Sequence, residues 1–240
     1  MAATMSRPKL VSQVVEQAPE NDLTPGQLSL FENLVYAICR EDAEVNQANA
    51  AFEQLKDRFF DFNEIRVSTS REVATCFEGC SEPRTRALRL ISLLQDIFEA
   101  IFGFDLESIA KKGAKTAQKQ LSRYKSVNDF TLAWIGHRVF GEQTIPVDSG
   151  MRRCASRLGL VEAECAKDTE ETRVALEGMV SKTKIDSFVG GLQMVAQKYC
   201  HEILPDCTNC TLTKACPESG KFLPPVPVKV AKPKASKKPR

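Results

Sequence analysis

Four cysteines lie close together near the carboxyl end of the chain, and their spacing restricts the fold more than any other feature of the sequence. They are Cys200, Cys207, Cys210 and Cys216, in the pattern C-x6-C-x2-C-x5-C. Four thiolates this close repel one another unless a cation neutralises them, and sulfur ligands indicate zinc or an iron–sulfur cluster. Structural zinc sites usually pair two short chelating loops, whereas only Cys207 and Cys210 form one here. The uneven spacing therefore favours a 4Fe–4S cluster, with zinc and unliganded thiols as the alternatives.

The other five of the nine cysteines show no such pattern, and Cys39 and Cys154 fall in helical segments where burial in the core is expected. The amino terminus lacks the apolar stretch of a secretory signal, and no apolar run approaches the roughly 18 residues of a membrane span. We therefore expect an intracellular, cytoplasmic protein with no membrane contact, no export and no disulfide framework.

Apolar residues recur at helical spacing through most of the 240 residues, while strand-like alternation is nearly absent. This pattern predicts an all-α protein. A capping box at Thr24 and Gln27 is expected to start the first sustained helix, and residues 1–23 are expected to be disordered. Further helices are predicted at about 45–59, 70–78, 84–102, 105–112, 114–124, 129–141, 149–158, 168–181 and 184–199.

Charge is distributed unevenly along the chain. Residues 221–240 carry seven basic side chains and no acid, so subtracting seven from the net charge of +2 leaves −5 on residues 1–220. The Pro- and Lys-rich segment at 221–240 cannot bury a core and is predicted to be a disordered basic tail. Overall charge does not indicate a nucleic-acid-binding protein, and any such prediction has to rest on local patches.

The cysteine loop at the end of an all-α chain resembles the iron–sulfur loop of the endonuclease III family of DNA glycosylases, within the HhH-GPD superfamily. A second match supports this resemblance: the segment 144–149 reads T-I-P-V-D-S, and R-x-x-x-R-L-G-L follows at 153–160. The helix leading into the cysteines, V-A-Q-K-Y-C at 195–200, is also similar. The resemblance covers about residues 24–220.

This resemblance implies two helical lobes with DNA bound in the groove between them. Residues 45–148 would form a helical barrel containing a helix–hairpin–helix at about 114–141. Residues 24–44 and 149–220 would form the other lobe, which carries the iron–sulfur loop at 200–216. The implied partner is double-stranded DNA with a damaged or mismatched base flipped into a pocket, bound by a monomer.

Asp148 aligns with the family's catalytic aspartate. Glycosidic cleavage places positive charge on the sugar, which a nearby carboxylate can stabilise, or the carboxylate can activate water. The structural alternative is that Asp148 only caps the helix that starts at about 149. Both roles are compatible, because a capping carboxylate is well fixed in place.

The hairpin departs from the family pattern. The family's two glycines, which let backbone amides approach a DNA phosphate, are missing from the segment Y-K-S-V-N-D-F at 124–130. A hairpin is still possible if Asn128 adopts the left-handed conformation. Phe130 occupies the position of the family's nucleophilic lysine, and a phenyl ring cannot form a Schiff base. Lyase activity through the usual lysine is therefore not expected.

Other candidate DNA contacts are basic residues and the hairpin itself. Phosphate contacts are predicted for Lys119, Arg123, Lys125, Ser126, Val127, Asn128, Arg152 and Arg153. Arg40 and Glu41 are candidates for the wedge that fills the gap left by a flipped base. Their alternative is an exposed helix end without DNA contact, and lysines on exposed helices can equally serve solubility.

The sequence thus predicts a base-excision repair protein, a monofunctional DNA glycosylase that uses Asp148 and lacks lyase activity. Two alternatives remain at this stage. One is a catalytically inactive iron–sulfur protein of the same fold that binds DNA, which the missing glycines favour. The other is a helical interaction domain stabilised by zinc.

Overall fold

The predicted all-α fold is confirmed by a computed structural model, which describes residues 6–19 and 25–223. Within these residues there are α-helices and short 3-10 helices and no strand. The α-helices are α1 Arg7–Val15, α2 Leu30–Arg40, α3 Val45–Arg58, α4 Phe62–Val67, α5 Ser70–Ala74, α6 Pro83–Ile101, α7 Glu107–Ala110, α8 Ala114–Leu121, α9 Asp129–Arg138, α10 Ser149–Arg157, α11 Thr169–Glu177 and α12 Ile185–Lys198. The 3-10 helices are Thr75–Phe77, Cys165–Lys167, Lys182–Lys184 and Ser219–Lys221. In the described part of the chain, no helix combines the length and the apolarity that crossing a membrane requires.

Two separate hydrophobic cores give the molecule its two lobes. The barrel core runs from Leu30 to Ile135 and is built from α2 to α9. The second core joins α1 to α10, α11 and α12, and Leu212 from the cysteine loop completes it. The crossing segment between the lobes is anchored by Ile145 and Val147, which are buried in the second core.

Helix α2 lies in the barrel lobe. The family resemblance instead places residues 24–44 in the lobe that carries the cysteines. Ten of its eleven residues are buried, and its apolar side chains belong to the barrel core. A helix that is apolar on nearly all sides has to lie inside a core, and it packs against α3, α6 and α9.

The start of α2 also differs from the prediction at Thr24, which lies outside the described residues. The helix begins at Leu30 with Ser29 as its N-cap. The Ser29 backbone N–H donates to Glu32 Oε2 at 2.9 Å, and the Glu32 N–H donates back to Ser29 Oγ at 3.2 Å. This reciprocal capping box performs the function that was assigned to Thr24 and Gln27.

Helix α1 lies in the segment 1–23 that was predicted to be disordered. Its three buried residues Leu10, Val11 and Val14 pack on the second core. At nine residues it is too short to be stable alone, so its packing on α12 holds it in place. The predicted basic tail lies outside the described residues from position 224 onward.

The close packing of α1 on α12 depends on Gly191. A Cβ atom at Gly191 would collide with the Val14 carbonyl oxygen and lie 3.0 Å from its carbonyl carbon. A Cβ atom at the neighbouring Gly190 would lie 3.5 Å from Pro19 Cδ, an ordinary contact. The two adjacent glycines therefore differ sharply in their tolerance of a methyl group.

We expect Gly191→Ala to lower the free energy of unfolding by about 2 kcal/mol, because overpacking forces the α1 backbone away from α12. Gly190→Ala is the matched control, and it should leave stability unchanged or raise it by up to about 1 kcal/mol through helix propensity. Urea unfolding followed by circular dichroism measures both variants. Equal stability of the two would contradict the packing described for α1.

Candidate active site and cysteine cavity

Asp148 lies at the amino terminus of α10, where the two lobes meet. Its side chain is the N-cap of that helix, with Oδ1 accepting from the Met151 N–H at 2.7 Å. Its other oxygen, Oδ2, accepts from Gln193 Nε2 of α12 at 2.6 Å and from the Asp42 N–H at 3.3 Å. The carboxyl is 3% exposed. Three donors from three parts of the chain therefore fix its orientation.

The surroundings of Asp148 alter its acidity. Burial raises the pKa of this carboxyl to about 6, and the charge of Asp42 adds to the increase. The hydrogen bonds from Gln193 and the Met151 N–H act in the opposite direction, as does the charge of Arg40. With a pKa of about 6, Asp148 is mostly ionised at neutral pH and can act as a carboxylate.

Asp42 joins the end of α2 to the start of α10. Its backbone is left-handed, with φ of 50°, a conformation that Asp tolerates better than most residues. Its Oδ1 accepts from Ser149 Oγ at 2.8 Å and from the Gly150 N–H at 3.1 Å. Two carboxylates thus lie at one helix amino terminus, where the helix dipole favours negative charge.

A cavity that is open to solvent lies beside Asp148. Its lining includes Phe130, Asn128 and Asp129 from the hairpin and Arg152 from α10. Phe130 is 2% exposed and its ring stacks on Trp134 with 6.3 Å between ring centres. Among the described residues that line the cavity there is no lysine. The site therefore offers a carboxylate but no amine nucleophile.

The two candidate wedge residues differ in exposure. Arg40 is 3% exposed and donates to the Ala43 carbonyl oxygen, so it would have to leave the interior to act as a wedge. Glu41 is half-buried and lines the cavity beside Asp148. It forms an ion pair with Arg89, and its Oε1 accepts from Asn128 Nδ2 at 2.8 Å.

The hairpin connects α8 to α9 and is held by side chains instead of glycines. Asn128 has a φ of −104°, so it is extended, and the hairpin forms without the left-handed conformation that was considered possible for this residue. Its Oδ1 caps α9 by accepting from the Thr131 N–H at 3.0 Å. Arg89 Nε donates to the Ser126 carbonyl oxygen at 2.7 Å, which fixes the turn from the α6 side.

The predicted DNA contacts fall into three groups by exposure. Lys119, Arg123, Lys125 and Asn128 are exposed, while Ser126 and Val127 are buried. Arg152 and Arg153 are half-buried and already hold the chain together. Arg152 Nη1 donates to the Lys167 carbonyl at 3.1 Å, and Arg153 Nε donates to the Cys200 carbonyl at 2.8 Å.

Sequence reasoning missed Gln193 and Asp42 as partners of Asp148. Gln193 lies 45 positions from Asp148, and only the packing of α12 on α10 brings them together. Asp42 lies in a run of acidic residues that is typical of a solvated helix end. No periodicity or motif in the sequence indicates either contact.

The four cysteines of the carboxyl-terminal loop line one cavity. Within the described residues, no three His, Cys, Asp or Glu side chains converge closely enough to hold a single metal ion. Four thiols spread around one cavity fit a larger group with several metal positions.

Arg157 fixes the cysteine loop against α10. Its Nη1 donates to the His201 carbonyl at 2.6 Å and lies 3.5 Å from Cys200 Sγ. Its Nη2 donates to the Glu202 carbonyl at 2.8 Å. The last turn of α10 therefore holds the first part of the cysteine loop in place.

Comparisons with known proteins agree with this architecture. The family model described as "HhH-GPD superfamily base excision DNA repair protein" matches residues 35–182, which include Asp148 and the hairpin. Endonuclease III homolog 2, chloroplastic, of Arabidopsis thaliana is 34% identical over 100 residues, covering 40% of this chain and 26% of that protein. The Encephalitozoon cuniculi endonuclease III homolog is 28% identical over 114 residues, covering 47% of each chain. This chain thus spans about a quarter and about half of the lengths of these two relatives.

Solved structures show the same fold. An endonuclease III trapped as a covalent intermediate with DNA matches with a TM-score of 0.65 at 15% identity, covering 90% of this chain and 98% of that one. A thermostable thymine-DNA glycosylase matches with a TM-score of 0.58 at 18% identity, covering 90% of this chain and 97% of that one. These matches show the fold, and the family model confirms the resemblance that the sequence motifs indicated.

Proposed function

Because the chain belongs to the HhH-GPD superfamily of base excision DNA repair proteins, we propose that it removes a damaged or mismatched base from duplex DNA without cutting the strand. The observation that carries this proposal is the pairing of Asp148 with Phe130 on one cavity. The cavity offers an oriented carboxylate, and a phenyl ring occupies the position that the family resemblance assigns to a lysine. This combination supports hydrolysis and does not support Schiff-base chemistry.

Asp148 retains the capacity for this chemistry despite its three hydrogen bonds. A carboxylate has about four lone-pair positions, and three of them accept from Met151, Gln193 and Asp42. One position on Oδ1 remains for a water molecule or for the sugar. As the base departs, positive charge develops on the sugar, and the fixed negative charge of Asp148 stabilises it.

The proposed partner is double-stranded DNA with the target base flipped into the cavity beside Asp148. Lys119, Arg123 and Lys125 are exposed on α8 and the hairpin, where they can contact phosphates without reading sequence. Asp129 is also exposed there and opposes this attraction. Action as a monomer and a cytoplasmic location remain predictions.

A second candidate function is DNA binding without catalysis. The hairpin favours this second function, because it lacks the two glycines that the family uses to approach a DNA phosphate. Contacts of Arg89 and Asn128 hold its turn instead. The same protein would then recognise lesions and leave the base in place. The two functions differ in whether free base is released.

We expect the purified chain to release free base from one or more members of a panel of duplexes containing oxidised, deaminated, alkylated or mismatched bases. The strand should remain intact until alkali or heat is applied. Asp148→Asn should reduce the release rate by a factor of about 100 or more, because removing a positioned charge stabiliser typically costs that much. Base release is measured by chromatography and strand cleavage by denaturing electrophoresis.

Strand cleavage at the same rate as base release would overturn the assignment as a monofunctional enzyme. Lesion binding with no release across the panel would select the second candidate function. Asp57→Asn is the matched control for Asp148→Asn, since it makes the same substitution at an exposed position of α3, away from the cavity lining.

We further propose that Cys200, Cys207, Cys210 and Cys216 hold a 4Fe–4S cluster. The four thiols line one common cavity, which supports a group that binds all four of them. When bound, the cluster supplies a rigid four-point anchor for the loop. Arg153 and Arg157 then connect that anchored loop to α10, and so to Asp148.

Anaerobically purified protein should be brown, with broad absorption near 400 nm and about four irons and four sulfides per chain. Metal analysis and acid-labile sulfide determination measure this directly. Stoichiometric zinc without iron would overturn the cluster and favour the helical domain stabilised by zinc.

A further inference from the structure

The cavity that is proposed to hold the cluster contains five cysteine sulfurs, one more than a cube with four irons requires. The fifth belongs to Cys154, in the middle of α10. It is 1% exposed and lines the same cavity as the four loop cysteines. From its helical pattern alone, the sequence predicts an ordinary core cysteine at this position.

Cys154 lies on the same cavity as the four proposed ligands, and the two sets are packed together. The second core contains Cys154, and Cys200, Cys210 and Cys216 are partly buried against that core. Cys154 and Cys200 both line the cavity, together with Cys207, Cys210 and Cys216. Cys154 therefore adds a fifth sulfur to the lining from the α10 side.

The two neighbouring cysteines differ in how firmly the backbone holds them. Cys154 lies within α10, which packs along α12 and is fixed by that contact. Cys200 follows the end of α12 and begins the loop, and it is only half-buried. Movement of the loop would displace Cys200 from the cavity while leaving Cys154 in place.

We propose that Cys154 is a reserve ligand for the cluster, able to bind the iron of Cys200 when the Cys200 sulfur is absent or displaced. In this exchange the bond from iron to Cys200 breaks and a bond from the same iron to Cys154 forms. The Cys154 thiol loses its proton, and a displaced Cys200 thiolate takes one up. The number of electrons on the cluster does not change.

This inference rests on the proposed cluster, so the experiment begins from the brown, full-length protein. Four variants are compared: Cys200→Ala, Cys207→Ala, Cys154→Ala, and the double variant Cys200→Ala with Cys154→Ala. We expect Cys200→Ala to retain iron and sulfide within about twofold of the wild type, because Cys154 completes the ligand set. Cys207→Ala and the double variant should each retain about a tenth or less, while Cys154→Ala alone should stay loaded.

Two outcomes would overturn the reserve role. Loss of the cluster in Cys200→Ala to the same extent as in Cys207→Ala would show that Cys154 does not substitute. Retention of the cluster in the double variant would show that another group does. A colourless wild type would overturn the cluster proposal itself, whereas a brown wild type with a colourless Cys200→Ala would overturn only the inference about Cys154.

A second measurement avoids the need for Cys200→Ala to fold. The loaded Cys154→Ala protein is exposed to an iron chelator, and loss of visible absorbance is followed beside the wild type. Without the reserve ligand, the half-time of iron release should shorten by a factor of about three or more, since each opening of the Cys200 bond is no longer captured. Cys165→Ala, which removes a cysteine outside the cavity lining, is the control. Equal half-times for Cys154→Ala and the wild type would contradict the inference.

Discussion

The hydrogen bonds at the amino terminus of α10 are the interaction on which the rest of the structure depends. Asp148 caps this helix and also accepts from α12 and from the segment after α2. The Asp42 carboxylate makes a second connection, because it accepts hydrogen bonds from Ser149 and Gly150, the first two residues of α10. Because each lobe has its own hydrophobic core, this polar junction sets how the cavity beside Asp148 is shaped. The residue proposed for catalysis is thus also a structural contact between the lobes.

Helix α10 connects the two functional regions of the molecule. Its first residues surround Asp148, and its later turns carry Cys154 and Arg157 at the cysteine cavity. Because α10 has only nine residues, a shift at its carboxyl end also moves its amino end. Fixing the cysteine loop by a cluster would therefore restrain the orientation of the Asp148 carboxylate.

Sequence reasoning predicted the elements whose signals are local. The helical periodicity predicted α3, α6 and α12 to within about two residues, and the cysteine spacing and the V-D-S motif indicated the family. The features that the sequence could not show depend on how the helices pack against one another. Helix α1 is too short for a clear pattern, and the burial of α2 in the barrel depends on its neighbours. The contact between Gln193 and Asp148 joins residues 45 positions apart, and the position of Cys154 on the cysteine cavity likewise follows only from helix packing.

The most direct test of the account is the pH dependence of single-turnover base release. The rate should fall as the pH drops through about 6, because protonation of Asp148 removes its negative charge. Gln193→Ala removes a donor that favours the carboxylate, so the midpoint should move to higher pH. Gln197→Ala, one turn further along α12, should leave the midpoint unchanged. A rate that does not vary between pH 5 and 8, or a midpoint that Gln193→Ala does not move, would contradict the assignment of Asp148 as the catalytic carboxylate.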